Sequence, residues 1–157
     1  MRKKMAKLKT GDPAPAFEAV DQDGNMKTLA DYRGRKLILY FYPKDNTPGC
    51  TAEACSLRDG RDTLRRMGFE VVGVSPDSVK SHQGFIAKQG LNFTLLADTD
   101  KKIAEAYGVW GEKKFMGRTF MGILRTTFVI DEQGVIEKIF DKVRTKDHFE
   151  QIVEAYQ

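Results

Sequence analysis

Leu37 to Tyr42 (LILYFY) is an unbroken apolar and aromatic run closed by Pro43, and it restricts the chain to folds in which a strand is buried on both faces. Such a strand needs helices above and below it. The chain supplies them. Thr51 to Met67 reads as a helix, with Thr47 and Pro48 near its start, Leu57 and Leu64 seven apart, and Gly68 beyond its end. Phe69 to Ser75 (FEVVGVS) is a second buried strand, Asp77 is placed to cap a helix running to about Lys88, and Phe93 to Ala97 is a further short strand. A short helix is expected over Lys101 to Tyr107. The segment VWGEKKFMGRTFMGILR that follows has no clear period and reads as a long loop.

Ahead of the central strand, Phe17 to Val20, the turn at Asp23 and Gly24, and a short strand before Arg33 and Gly34 form an edge hairpin. At the other end, Thr126 to Ile130 and Val135 to Phe140 form a hairpin about Glu132, Gln133 and Gly134, and a last helix starts near Lys146. The expected class is α/β. Its central sheet is mixed, parallel where helices cross over and antiparallel at the closing hairpin, with the amino-terminal hairpin at its side.

At 157 residues, with 41% hydrophobic and 31% charged, the chain suits one domain over residues 11–157 behind a basic tail over residues 1–10. Twenty-six Lys and Arg against 22 Asp and Glu leave +4, and the excess gathers in MRKKMAKLK, which carries no acid. Beyond it Lys and Arg alternate with acids and no second basic run appears, so no nucleic-acid partner is expected. No apolar run is long enough for a membrane span and no signal-like segment follows the basic start, which makes the cytoplasm the expected compartment. Two cysteines are too few for a disulfide scaffold there, which favours a cycling pair over a staple.

Those cysteines carry the chemistry. The loop after Pro43 delivers Cys50 to a helix start, where unpaired N–H donors and a partial positive charge favour the attacking thiolate. Cys55 lies five residues on and is the only other thiol, so it is the one intramolecular partner available after oxidation. Pro43, Thr47 and Cys50 make the pattern P-x-x-x-T-x-x-C. On that pattern, the five-residue cysteine spacing, and the segments GVSPDSVKSH, LNFTLLAD, YGVWGEKKFMG and RTTFVID, the chain resembles the peroxiredoxins, and within them the bacterioferritin comigratory protein subgroup.

The resemblance implies a thioredoxin-like fold and reduction of hydrogen peroxide and organic hydroperoxides by a thiol, without a cofactor or metal. It implies Cys50 as the peroxidatic residue, Cys55 as the resolving one, and recycling by thioredoxin or a similar dithiol. The residue chemistry agrees. Thr47 offers a hydroxyl to peroxide and sulfur, and the N–H groups of Gly49 and Cys50 point toward charge developing on the departing oxygen. Pro43 ends the strand and shields the thiolate without a competing donor. Arg125, just before the strand TTFVI, brings a permanent cation, and Glu53, one helical turn after Cys50, positions that arginine.

His82 and His148 do not pair with a second ligand at helical spacing, and cysteines five apart match no common zinc arrangement, so no metal is expected. The aromatics Trp110, Phe115 and Phe120 are expected to collar the pocket. Two other readings share the fold. A thiol–disulfide oxidoreductase lacks support because there is no C-x-x-C and no proline after Pro76. A redox sensor using a switching helix would oxidise once and slowly. On a regular helix, positions five apart sit about 140° around the axis with Cα atoms about 8.5 Å apart. A disulfide needs Cα atoms within about 7 Å, so joining Cys50 to Cys55 requires the helix start to unwind. An intramolecular partner removes the need for a second subunit, which makes a monomer the expected state.

Overall fold

A computed structural model describes residues 7–157. The strands are β1 (Glu18–Val20), β2 (Met26–Thr28), β3 (Lys36–Phe41), β4 (Phe69–Ser75), β5 (Thr94–Ala97), β6 (Trp110–Phe115), β7 (Arg118–Ile123), β8 (Thr126–Ile130) and β9 (Ile136–Phe140). The helices are α1 (Pro48–Arg66), α2 (Val79–Gln89), α3 (Lys102–Ala106) and α4 (His148–Glu154), with 3-10 turns at Leu29–Tyr32 and Thr145–Asp147. The central sheet has the order β5-β4-β3-β8-β9. β3 runs parallel to β4 and antiparallel to β8, so the sheet is mixed as expected.

The run that reads as doubly buried is so because its alternate side chains enter two different cores. Leu37, Leu39 and Phe41 pack with Val72, Val74, Phe128 and, from α3 and just after it, Ile103 and Tyr107. Ile38, Tyr40 and Tyr42 pack on the opposite face with Ala54, Leu57 and Leu64 of α1, Phe85 of α2 and Ile152 of α4. Every side chain from Leu37 to Tyr42 is at most 1% exposed. Each such burial contributes about 1.5–3 kcal/mol, so β3 anchors both layers at once. Gly73 lies opposite Tyr40 in the β3–β4 register, and a Cβ there would lie 2.8 Å from the Tyr40 ring, which is why no larger residue fits.

Four expectations are corrected. The segment after α3 is a two-stranded antiparallel hairpin, β6 with β7, in place of a loop. Its two-residue turn puts Met116 at φ 51° and Gly117 at φ 77°, the positive pair that a tight hairpin turn demands. Most of its side chains are exposed on both faces, so no apolar alternation marked it. Helix α1 starts at Pro48, three residues before Thr51, with Thr47 as its N-cap residue. Helix α2 is capped by Ser78, whose hydroxyl accepts the Ser81 N–H; Asp77 instead accepts from the Asp45 N–H and the Ser75 hydroxyl. The last helix begins at His148, after its 3-10 turn. Of the basic tail, residues 1–6 lie outside the described residues, while Leu8 packs against the α3-side core. Among the described residues no helix is long and apolar enough to cross a membrane.

Candidate active site

Three elements bring the site together. β3 ends at Phe41, the loop of residues 42–47 turns back, and α1 begins with Cys50 in its first turn. Arg125 comes from the link between β7 and β8, directly ahead of the strand that flanks β3. One guanidinium serves two partners: Nη1 donates to Glu53 Oε1 at 2.7 Å and Nη2 to Cys50 Sγ at 3.3 Å. Cys50 is 1% exposed and Glu53 is fully buried, so this fork acts where water screens it little. Gly49 permits the approach. A Cβ at that position would lie 3.3 Å from Arg125 Nη2.

The loop itself is pinned from behind. The Asp45 carboxylate accepts the Tyr42 hydroxyl at 2.6 Å and the Ser81 hydroxyl at 2.8 Å, and it lies 2.7 Å from His82 Nδ1. His82 Nε2 faces the Leu96 carbonyl at 2.9 Å. Asp45, Asp77 and His82 stand close enough to suggest a cation site. Their oxygens and ring nitrogens are instead occupied by hydroxyl, amide and carbonyl partners, so the cluster ties the Cys50 loop to β4, β5 and α2. Sequence spacing gave no sign of it, because the partners lie 32 and 37 residues apart.

The other expected residues are placed less directly. The Thr47 hydroxyl donates to the Lys44 carbonyl at 2.8 Å, which leaves its oxygen able to accept, and Pro43 sits partly buried at the loop's start. The Cys55 thiol turns toward α2 and donates to Gln89 Oε1 at 3.7 Å. Both thiols are free, and α1 is continuous through them. Beside Arg125 opens a cleft of about 530 Å3 lined by Tyr107, Val109, Lys113, Leu124, Phe128 and Ile139 among others. The expected aromatic collar does not line it. Phe115 and Phe120 are exposed on the hairpin, and Trp110 lies under the Lys101 ammonium, 4.9 Å from its ring centre.

Burial raises the Glu53 carboxyl to about 7, against the opposing pull of Arg125. Burial lowers the Lys113 ammonium, and the like charge of Arg125 adds to that effect. Burial works against the Arg125 cation too, but Glu53 and Cys50 outweigh it and hold the guanidinium above its ordinary value. Burial brings His148, which stands behind Glu53, down to about 4.

A model of the AhpC/TSA family matches residues 10–139. Peroxiredoxin Bcp of Escherichia coli (strain K12) is 48% identical over 149 residues, spanning 95% of this chain and 96% of the relative. The solved structure of Xylella fastidiosa PrxQ superposes with a TM-score of 0.90 at 34% identity, covering 97% of each chain. A structure of Xanthomonas campestris bacterioferritin comigratory protein, described for its alkyl peroxide reduction activity, gives a TM-score of 0.83 at 36% identity over 88% of each chain. The architecture is the thioredoxin-like α/β fold that the sequence led us to expect, with the amino-terminal hairpin β1–β2 in place.

Proposed function

Since this chain belongs to the AhpC/TSA family, as a peroxiredoxin of the Bcp and PrxQ kind, we propose that its thiol peroxidase activity runs through Cys50, with Cys55 as resolving thiol. The observation that carries this reading is the Arg125 fork, which sets a fixed cation 3.3 Å from the Cys50 sulfur at a helix start. The thiolate attacks the terminal oxygen of ROOH. The O–O bond breaks, the departing oxygen takes a proton and leaves as ROH, and the sulfur is left as sulfenic acid. Arg125 and the N–H groups at the start of α1 stabilise the charge that moves onto that oxygen, while Thr47 orients the peroxide. Cys55 then attacks the sulfenic sulfur. Its S–H proton and the sulfenic hydroxyl leave as water, and a Cys50–Cys55 disulfide forms.

That second step requires the first turns of α1 to unwind, because the two cysteines lie on one continuous helix. A thioredoxin-type dithiol returns the pair to thiols, taking the disulfide on itself. Substrates of this reading are hydrogen peroxide and organic hydroperoxides, and the enzyme works as a cytoplasmic monomer in antioxidant defence. The test is a pair of variants. Cys50→Ser abolishes peroxide consumption, while Cys55→Ser keeps the first oxidation and loses turnover with a dithiol reductant. Equal loss of the first step in both variants contradicts the assignment.

A further inference from the structure

Glu53 has two oxygens and only one of them is answered. Oε1 accepts from Arg125, whereas Oε2 has no hydrogen-bond partner among the described residues. On α4, Nε2 of His148 lies 3.7 Å from Oε2, and both side chains are fully buried. Which hydrogen that nitrogen carries decides how the two interact.

The neighbours of His148 fix its tautomer. Gln151 donates from Nε2 to the Lys142 carbonyl, which can only accept, so its amide oxygen is the end that faces His148. That oxygen lies 2.9 Å from His148 Nδ1 and also accepts the Arg144 N–H. Nδ1 therefore carries the hydrogen. Burial keeps the ring neutral, so Nε2 is bare and accepts from the Thr127 hydroxyl at 2.8 Å. An ionised Glu53 thus aims Oε2 at a ring nitrogen that has no hydrogen to give and whose one lone pair is taken by Thr127, and a proton on Oε2 removes the charge from that approach. Two other groups bear on the Glu53 carboxyl: Arg125, which it shares with the Cys50 thiol, and Tyr40 on β3, whose buried hydroxyl also lacks a partner among the described residues. Those bearing on His148 besides Gln151 are Arg125, Arg144 and Asp147.

We propose that His148 is a positioning residue of the peroxidase: locked by Gln151 as the bare-Nε2 tautomer, it withholds a donor from Glu53 Oε2, leaves that oxygen unanswered, and so governs how undividedly Arg125 serves the Cys50 sulfur. This rests on the peroxidase reading above. With Glu53 neutral, the guanidinium has one anionic partner, the sulfur; with Glu53 ionised, it has two.

The test follows the Glu53 carboxyl directly, by carbon-13 NMR of the reduced, full-length protein with labelled glutamate, its resonance assigned by its loss in E53Q. In the native chain Glu53 is expected to titrate near 7. His148→Gln supplies an amide donor, and Gln151→Glu favours a doubly protonated His148; each lowers the midpoint by at least about one pH unit. Peroxide reaction rates measured on the same samples show an inflection that moves with that midpoint and is absent from E53Q. A Glu53 midpoint that is unchanged in both folded variants, or already at an ordinary carboxylate value in the native chain, overturns the inference and leaves the peroxidase reading standing. Loss of peroxide reduction by the native chain overturns the peroxidase reading, and the NMR titration reports separately.

Discussion

One guanidinium joins sulfur and carboxylate in this site, and the arrangement depends on the planar fork of arginine. Lysine is a single point charge that cannot meet Cys50 and Glu53 together. Arg125→Lys is therefore expected to slow the first reaction with peroxide at least about tenfold, or about 1.4 kcal/mol of barrier, in stopped-flow measurements under single turnover. An unchanged rate would mean that charge alone suffices. The buried pair behind the fork also marks the stability of the fold. Glu53 is raised in the folded chain from 4.5 to about 7, so between those values the folded state holds the extra proton and stability falls as pH rises. His148 is lowered from 6.5 to about 4, so over that window the unfolded chain holds the extra proton and stability rises with pH. The two slopes oppose each other across most of their range. E53Q removes only the falling one, so urea unfolding of E53Q is expected to gain on the native chain by up to about 1 kcal/mol per pH unit from roughly pH 5 to 7. A pH-independent difference would contradict the raised Glu53. Cys50, Glu53 and Arg125, which the structure brings together, were picked out in the sequence by a motif, one helical turn and the resemblance of the segment RTTFVID. His148, Gln151 and the Asp45–His82 anchor were not, because only the tertiary fold brings their partners near.

In the proposed mechanism helix α1 carries most of the site and has to let part of itself go. Its amino-terminal turns are held by contacts that the proposed disulfide would break: Arg125 to Cys50, Cys55 to Gln89, and the Phe149 N–H to the Ser56 hydroxyl. Oxidation is expected to strip hydrogen-exchange protection from the amides of Thr51 to Leu57 and leave those near Leu64 protected. Equal protection in both redox states would rule out the unwinding. Further along, α1 meets α4 at Gly60, where a Cβ would lie 2.1 Å from the Phe149 ring. Gly60→Ala gains helix propensity of about 1 kcal/mol but forces that ring away, and a net loss of about 1–3 kcal/mol is expected in thermal or urea unfolding. Stabilisation would show that α4 yields freely. This helix was legible from its apolar spacing and its Gly68 stop, though its true start at Pro48 was missed by three residues. The β6–β7 hairpin was illegible for a physical reason. A strand exposed on both sides has no buried face to impose alternation, and a Met–Gly turn replaces the usual Asn–Gly signal.

Across the whole molecule, β3 is the member on which both cores close and from which the loop to Cys50 departs. The mixed character of the sheet was legible from strand patterning, because doubly buried runs joined by helices mark parallel strands and the closing hairpin marks an antiparallel pair, whereas the strand order came only with the folded chain. Long-range partners such as Gln89 for Cys55 needed the folded chain. The central claim is that Cys50 takes oxygen from peroxide first and that Cys55 resolves it. Mass spectrometry of reduced protein after one equivalent of hydroperoxide tests that claim most directly, comparing the native chain with Cys55→Ser. The account predicts a Cys50–Cys55 disulfide in the first and a single added oxygen on Cys50 in the second. Oxygen found on Cys55 in the native chain, or an unoxidised Cys50 in either protein, would contradict it.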